Sequence, residues 1–133
     1  MILIVLCGAP GSGKTTLSME LVKKYGAIRY SLDEMKYFRH RYLIPHIKDS
    51  LKLGNNVIVD ATYHMKEFRV ELINGVKDID CKKILIYMNT PLEECINRNS
   101  QRTRPLPKAM VEGIFRQIQT PTSDEGWDEI LYY

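Results

Sequence analysis

The sequence predicts an α/β fold in which five strands alternate with helices. Short, continuously apolar runs recur along the chain, which is typical of strands buried on both faces of a sheet. Between these runs, apolar residues return at helical spacing. A glycine-rich loop separates the first apolar run, residues 2–6, from the first helical pattern. With 133 residues and 44% hydrophobic content, the chain is predicted to form a single domain over residues 1–133.

The glycine-rich loop fits the pattern G-x-x-x-x-G-K-[ST], the Walker A or phosphate loop. Its backbone N–H groups form an anion-binding nest, and the helix that follows adds its positive N-terminal end. Lys14 is expected to reach the β- and γ-phosphates, and the Thr15 hydroxyl to coordinate Mg²⁺. The pattern therefore predicts binding of ATP or another NTP together with Mg²⁺. The predicted nucleotide-binding residues are Gly8, Ala9, Pro10, Gly11, Ser12, Gly13, Lys14, Thr15 and Thr16.

The first helix is predicted from Lys14 to Tyr25, where Gly26 ends it. Residues 27–32 form a second, shorter strand, and Asp33 follows its carboxyl end. Ligands of open α/β sheets bind at that edge. Residues 33–53 are predicted to form one or two helices, broken near Pro45.

The segment from Lys36 to Lys52 is rich in basic residues, with aromatic residues between them. Such a pattern suits a phosphodiester strand with bases that can stack. It also suits an ordinary solvated helical face, and the sequence leaves both interpretations open.

Residues 57–60 form a buried strand that ends in Asp60, the Walker B arrangement. An aspartate there can hold a Mg²⁺-bound water or orient a partner side chain. Ala61 follows it, where many hydrolytic P-loop proteins carry a water-activating glutamate. This difference favours transfer to an acceptor over hydrolysis. A helix over 65–77 and a strand over 83–88 come next.

Thr90, Pro91 and Glu93 predict a capping box at the start of the following helix. That helix leads into a run with three arginines, closed by two prolines, which predicts a short arginine lid over the transferred phosphate. A last helix presents apolar side chains inward, and residues 129–133 form a final edge strand. The arginines are Arg98, Arg102 and Arg104, and the inward residues are Met110, Val111, Ile114, Phe115 and Ile118.

The composition excludes few classes of protein. The net charge of +3 fits an anionic partner, but ATP alone could account for it. The apolar start is too short for a membrane span, so no membrane association is expected. Three cysteines without paired spacing predict buried thiols and a cytoplasmic location. The three histidines share no metal-ligand spacing and receive no role.

Several segments together resemble the kinase domain of polynucleotide 5′-hydroxyl kinases of the phage and animal kinase–phosphatase type. They also resemble the related kinases that phosphorylate seryl-tRNA for selenocysteine synthesis. The matching segments run in family order across nearly the whole chain. They are residues 8–15, 31–36, 57–62 with Arg69, 97–102 and 121–130.

The resemblance implies a parallel sheet with helices on both faces. It implies that Asp33 is the general base for the attacking hydroxyl and that Lys36 holds an acceptor phosphate. Arg102 would bind the transferred phosphate, with Arg98 as its partner one turn earlier. Asp60 and Arg69 complete the implied substrate-binding set. The chain departs from the family at Thr62-Tyr63, where relatives often have Thr-Asn.

The expected function is ATP-dependent phosphoryl transfer to a hydroxyl, with the 5′-OH end of DNA or RNA as the first candidate. Lys14, Arg102 and Mg²⁺ would neutralise charge while Asp33 orients the nucleophile. One alternative is a kinase of an aminoacyl-tRNA or a small metabolite. Another is a non-catalytic protein that uses ATP to switch binding. The sequence leaves open the acceptor, the choice of ATP or GTP, and self-association.

Overall fold

The computed structural model describes residues 1–32 and 39–133. Two predicted site residues, Asp33 and Lys36, fall in the stretch 33–38 and so lie outside the described residues. Both remain predictions.

The described residues form a five-stranded sheet in the order β2-β3-β1-β4-β5. Every neighbouring pair of strands is parallel. This confirms the predicted α/β fold and the edge position of the last strand. The strands are β1 (Ile2–Cys7), β2 (Ile28–Ser31), β3 (Val57–Asp60), β4 (Lys82–Tyr87) and β5 (Glu129–Tyr132).

Helices connect the strands. They are α1 (Lys14–Tyr25), α2 (Ile44–Lys52), α3 (Lys66–Val76), α4 (Leu92–Ser100) and α5 (Lys108–Gln117), with short 3₁₀ helices at His40–Leu43 and Ser123–Glu125. Gly26 ends α1 in a left-handed conformation, as predicted. The break predicted near Pro45 is found just before it, where the 3₁₀ helix His40–Leu43 gives way to α2; Pro45 lies in the first turn of α2, where its missing N–H costs nothing.

The two faces of the sheet carry separate apolar clusters. On one face, the α2 and α3 side chains pack on alternate residues of the strands, such as Leu3, Val5 and Val59. On the other face, Leu17 of α1 packs on Ile4 and Leu6. Successive β1 side chains thus point to opposite layers, which explains its continuously apolar sequence.

The carboxyl edge of the sheet brings the predicted motifs together. Asp60, the last residue of β3, pairs in register with Leu6 of β1 and with Ser31 of β2. The segments that follow these strands therefore start at the same level. Among residues 1–32 and 39–133, no helix combines the length and apolar character that a membrane span requires.

The capping box predicted at the start of α4 is wrong. The Thr90 hydroxyl donates instead to the carbonyl oxygen of Ser12 at 2.8 Å. No side-chain cap is found at α4 in the described part of the chain. Thr90 therefore ties α4 to the glycine-rich loop, and this tertiary contact has replaced a local one.

Asn56 joins the end of α1 to the start of β1. Its Oδ1 accepts from the Ile2 N–H at 2.9 Å, and its Nδ2 donates to the Tyr25 carbonyl at 2.8 Å. We expect Asn56→Ala to lower the free energy of unfolding by about 2 kcal/mol, since two hydrogen bonds worth about 1 kcal/mol each are lost.

Urea denaturation followed by circular dichroism measures this loss. Asn55→Ala is the matched control, because Asn55 contributes its backbone N–H to Ser50 and the substitution keeps that group. Equal destabilisation by both substitutions would contradict the assignment.

Candidate active site

The phosphate loop, residues 8–15, lies between β1 and α1. Gly11 and Gly13 have φ values of 81° and 99°, a region that side-chain-bearing residues rarely adopt. A Cβ atom added at Gly11 would lie 2.2 Å from the carbonyl oxygen of Cys95. Glycine is therefore required at position 11 both by its conformation and by the close approach of α4.

The start of α1 faces this loop without a protein cap. Within the described residues, α1 has no side-chain cap and no acidic residue in its first turn. Its first N–H groups and its positive end are thus left for an anion. Thr15 and Thr16 are exposed there.

Lys14 is largely buried and folds back across the phosphate loop. Its Nζ donates to the carbonyl oxygens of Gly8 and Ala9, both at 2.9 Å. The ammonium group is therefore held beside the loop's concave backbone, where it adds positive charge.

A cleft of about 920 Å³ opens over the phosphate loop. Its walls come from the phosphate loop, the ends of β2 and β3, the segment after α4, and α5. The lining residues include Pro10, Gly11, Gly13, Lys14, Thr15, Thr16, Leu32, Asp60, Arg98, Arg102, Met110 and Ile114. Most of the predicted nucleotide-binding residues thus share one cavity, while Gly8, Ala9 and Ser12 form the buried underside of the loop. Met110 was predicted to face inward but is 48% exposed at the cleft.

Two arginines of the predicted lid, Arg98 and Arg102, line one side of this cleft. A Cβ on Gly13 would lie 2.9 Å from Arg98 Nη1, so this guanidinium lies directly over the phosphate loop. Arg98 also donates to Glu94 Oε1 at 2.5 Å. The buried side chain of Asn99 donates to the Leu106 carbonyl at 2.8 Å and accepts from the Leu106 N–H at 3.2 Å. These two bonds fix the base of the loop that carries Arg102.

Asp60 lies below the phosphate loop in a charge pair that the sequence did not indicate. Its Oδ2 accepts from Arg29 Nη2 at 2.6 Å and from the Ser18 hydroxyl at 3.3 Å. Arg29 also donates to Ser18 at 2.8 Å. Asp60 and Thr15 line the same cleft and supply a carboxylate and a hydroxyl oxygen, the ligand types that Mg²⁺ prefers. These residues fit a Mg²⁺ ion.

Tyr63 has an unusual backbone conformation just beyond β3. Its φ is 40°, which is favourable for asparagine but strained for a bulky residue. This is the position at which the resembling family often has asparagine. The Tyr63 N–H donates to His40 Nε2 at 3.1 Å, and the Thr62 carbonyl accepts from the Gly8 N–H at 3.0 Å. The turn therefore connects the phosphate loop to His40.

Two histidines and a threonine form a polar wall of the cleft. The Thr62 hydroxyl lies 3.1 Å from His40 Nε2 and 3.1 Å from His64 Nδ1. His40 also stacks on Phe68 with a centroid distance of 4.7 Å. Burial, and secondly the charge of His64, lowers the pKa of His40 to about 4. Because its Nε2 accepts an N–H, His40 is neutral and carries its proton on Nδ1.

A second cavity of about 380 Å³, the side pocket, adjoins the cleft. His40 and His64 line both cavities. The remaining walls of the side pocket are Arg39, Arg41, Phe68 and Glu71. Arg41 pairs with Glu71 at 3.5 Å, and both side chains are exposed.

Arg69, predicted to bind substrate, does not reach the cleft. Its side chain is fully buried. It donates to both carboxylate oxygens of Glu125, at 2.8 and 3.0 Å, and to the carbonyl oxygens of Tyr63 and Gln119. The remaining N–H points to Cys7 Sγ at 3.9 Å. The substrate-binding prediction is wrong for Arg69, since all five of its donors are directed at protein atoms.

A family model described as AAA domain matches residues 3–121. The chain belongs to this AAA domain family. L-seryl-tRNA(Sec) kinase from Methanococcus maripaludis is 28% identical to this AAA domain over 145 residues, 95% of the chain and 56% of the relative. The chain thus spans about half the length of that curated relative.

Solved structures share the fold. Kti12 from Chaetomium thermophilum in complex with ADP-AlF3 superposes with a TM-score of 0.83 at 17% identity, over 98% of this chain and 88% of that chain. A fungal RNA kinase superposes with a TM-score of 0.72 at 17% identity, over 98% of this chain and 37% of that chain. The AAA domain described here therefore has the fold of P-loop kinases.

Sequence reasoning assigns no role to Arg29, His40, His64 or Glu125. Their charged partners are remote in the chain, as with Arg29 and Asp60 or Glu125 and Arg69, so no spacing rule connects them. The family resemblance gave one usable indication, because Arg69 and Glu125 both lie in its matching segments. A buried arginine requires a buried acid, and Glu125 is the one it contacts.

The neutral state of His40 makes the stability of this AAA domain depend on pH. Unfolded His40 binds a proton near pH 6.5 and folded His40 near pH 4. Between these values the unfolded state holds more protons, so stability falls as the pH drops. We expect the free energy of unfolding to fall by roughly 2 kcal/mol between pH 7 and pH 5.

Urea titrations at both pH values measure this difference. His40→Gln should remove most of it, leaving the share of His64, whose pKa burial also lowers. His46→Gln, at an exposed position, should leave the full difference. A His40→Gln variant with the wild-type pH dependence would contradict the assignment.

Proposed function

We propose that this AAA domain transfers the γ-phosphoryl group of ATP to a hydroxyl carried by a nucleic acid. The observation that carries the proposal is the shared wall of two cavities. The cleft holds the phosphate loop and the arginine lid, and the side pocket presents two arginines beside aromatic rings. A donor and an acceptor could thus meet across His40 and His64.

In the nucleotide half of the reaction, positive groups bind the phosphates and neutralise their charge. The backbone N–H groups of residues 8–15 and the start of α1 receive the phosphates. Lys14 and Arg102 both line the cleft and would neutralise the charge of the transferring group. A Mg²⁺ ion held by Thr15 and Asp60 would supply further charge neutralisation. The C. thermophilum Kti12 structure, which contains ADP-AlF3, supports a nucleotide in this cleft.

For the acceptor half of the reaction, we assign Asp33 as the general base and Lys36 as a contact to an acceptor phosphate. Both assignments rest on the sequence, because these residues lie outside the described ones. Leu32, which precedes them, lines the cleft. An acid positioned there would accept the proton of the attacking hydroxyl, an effect worth about 10²–10⁴-fold.

The side pocket supports a nucleic acid as the acceptor. Arginine holds phosphate oxygens bidentately and stacks on bases, and both Arg39 and Arg41 are exposed at this pocket. A small uncharged metabolite would have no use for them. The three free cysteines are consistent with a reaction in the reducing cytoplasm.

Two acceptors fit this proposal. The 5′-OH end of RNA or DNA is supported by the resemblance to polynucleotide kinases across five segments. The hydroxyl of a seryl-tRNA is supported by the relative from M. maripaludis, which is named L-seryl-tRNA(Sec) kinase. In both cases the hydroxyl is attached to a nucleic acid, so the same side pocket would serve.

A labelling assay with ATP distinguishes between these acceptors. The protein is incubated with Mg²⁺, labelled ATP or GTP, and in turn a 5′-OH oligonucleotide, a seryl-tRNA, uncharged tRNA and a sugar mixture. We expect label in one of the nucleic acids. Asp33→Ala should reduce the transfer rate by about 10²-fold or more while ATP binding persists, because the phosphate loop is unchanged.

Glu34→Ala is the matched control for removal of a negative charge. Label only in the sugars would replace the nucleic-acid acceptor with a metabolite. ATP binding without label in any acceptor would leave a nucleotide-dependent binding protein.

The side pocket predicts a separate effect on acceptor binding. Arg39→Ala and Arg41→Ala together should raise the acceptor KM by about tenfold or more, since each charged hydrogen bond to phosphate is worth roughly 1.5–3 kcal/mol. The KM for ATP should stay unchanged. Steady-state kinetics with each substrate varied in turn measure both values.

Lys82→Ala and Lys108→Ala, two exposed cations that do not line the side pocket, control for lost net charge. An equal rise in acceptor KM in this control would show that overall charge, and not the side pocket, attracts the nucleic acid.

A further inference from the structure

Residues 62 and 63 join several parts of the molecule. The Thr62 carbonyl accepts from Gly8 of the phosphate loop, and the Tyr63 N–H donates to His40. The Tyr63 carbonyl accepts from Arg69 Nη1 at 2.8 Å and from Cys7 Sγ at 3.3 Å. A small rotation of this backbone would therefore move the cleft wall at Thr62 and His40.

Tyr63 does not itself favour the left-handed backbone conformation that it adopts. A bulky residue at a φ of 40° is strained by about 1–3 kcal/mol. Its buried phenol oxygen also has no hydrogen-bond partner among the described residues. The turn must therefore be held by the groups that bind its N–H and its carbonyl.

Arg69 is the group that binds the carbonyl most directly, and Glu125 fixes Arg69. Glu125 in turn accepts from the Thr122 N–H at 3.0 Å and from Trp127 Nε1 at 3.1 Å. These bonds, with those from Arg69, lower the pKa of Glu125 although burial alone would raise it. The segment 119–127 is thus connected to the cleft wall through two charged side chains.

Stability alone is a weak explanation for this pair. Removing two charges from water costs about as much as their attraction returns, so an apolar pair of similar size is often as stable. An apolar pair could not direct N–H donors at four chosen oxygens and a sulfur. The arrangement therefore suits the orientation of a backbone carbonyl.

We infer that Arg69 and Glu125 are positioning residues that act through Tyr63 to set the polar wall between the nucleotide cleft and the side pocket. The inference rests on the proposed function for its kinetic consequence. Neither residue touches a substrate, and Thr62 and His40 carry the effect to the cleft.

Two variants remove the hydrogen bond from Arg69 to the Tyr63 carbonyl in different ways. Arg69→Lys keeps the charge beside Glu125, but a compact ammonium cannot also reach the carbonyls of Tyr63 and Gln119. The double variant Arg69→Met with Glu125→Met keeps the volume and the fold without the donors. Val76→Ala is the control, because it opens a cavity on the same helix at a fully buried position without removing a hydrogen-bond donor.

The first measurement does not need activity. In the wild type, His40 accepts at Nε2, so ¹⁵N NMR should show the tautomer with the proton on Nδ1. The Tyr63 amide should exchange slowly with solvent. In both Arg69 variants the two tautomers should mix and the Tyr63 amide should exchange faster, while Val76→Ala keeps the wild-type pattern.

The second measurement is kinetic and is made below the melting temperature of every variant. We expect kcat/KM for the acceptor to fall by roughly 10²-fold in both Arg69 variants, as small misplacements in an active site can cost that much. The KM for ATP should change little, since these variants leave the phosphate loop, Lys14 and Arg102 in place.

The outcomes separate the two proposals. Arg69 variants with the wild-type His40 tautomer, Tyr63 exchange and acceptor kinetics would overturn the positioning role. The same losses in Val76→Ala would overturn it as well, because they would reflect lower stability. A wild-type protein that labels no acceptor would refute the proposed function, and the NMR measurements would still decide the role of Arg69.

Discussion

The close approach of Gly11 to α4 is the constraint on which the rest of the site depends. Because the Gly11 backbone lies against the Cys95 carbonyl, the phosphate loop is fixed to α4 as well as to β1. Two hydrogen bonds extend this attachment, from Gly8 to Thr62 after β3 and from Thr90 after β4 to Ser12. Segments following three neighbouring strands thus meet in one loop.

The cleft divides into a cationic side and a neutral side. Lys14, Arg98 and Arg102 line it near the phosphate loop, whereas the charge of Asp60 is met by Arg29. The wall at His40 stays uncharged near neutral pH, because burial lowers the pKa of His40 to about 4. This division suits the proposed reaction, in which negative charge gathers on one side and a hydroxyl acceptor arrives from the other.

The features that could be predicted correctly from the sequence are those that local backbone rules determine. The five strands, the phosphate loop and the end of α1 at Gly26 follow from apolar runs and glycine positions. Contacts between distant side chains could not be predicted in this way. Thr90 has a capping sequence yet bonds to Ser12, and Arg69 looks like a substrate ligand yet pairs with Glu125. The hydrogen-bond partner that such a side chain takes depends on packing that brings remote segments together. Hydrophobic periodicity in the sequence carries no information about that packing.

The attachment of α4 to the phosphate loop gives this helix the properties of a lever. The contact at Cys95 is the fulcrum, and the five residues from there to Ser100 span about 7.5 Å at 1.5 Å per residue. A tilt of about 8° at the fulcrum would displace the far end by about 1 Å over that length. A ligand that shifts the loop would therefore also shift the end of α4 and the segment that carries Arg102.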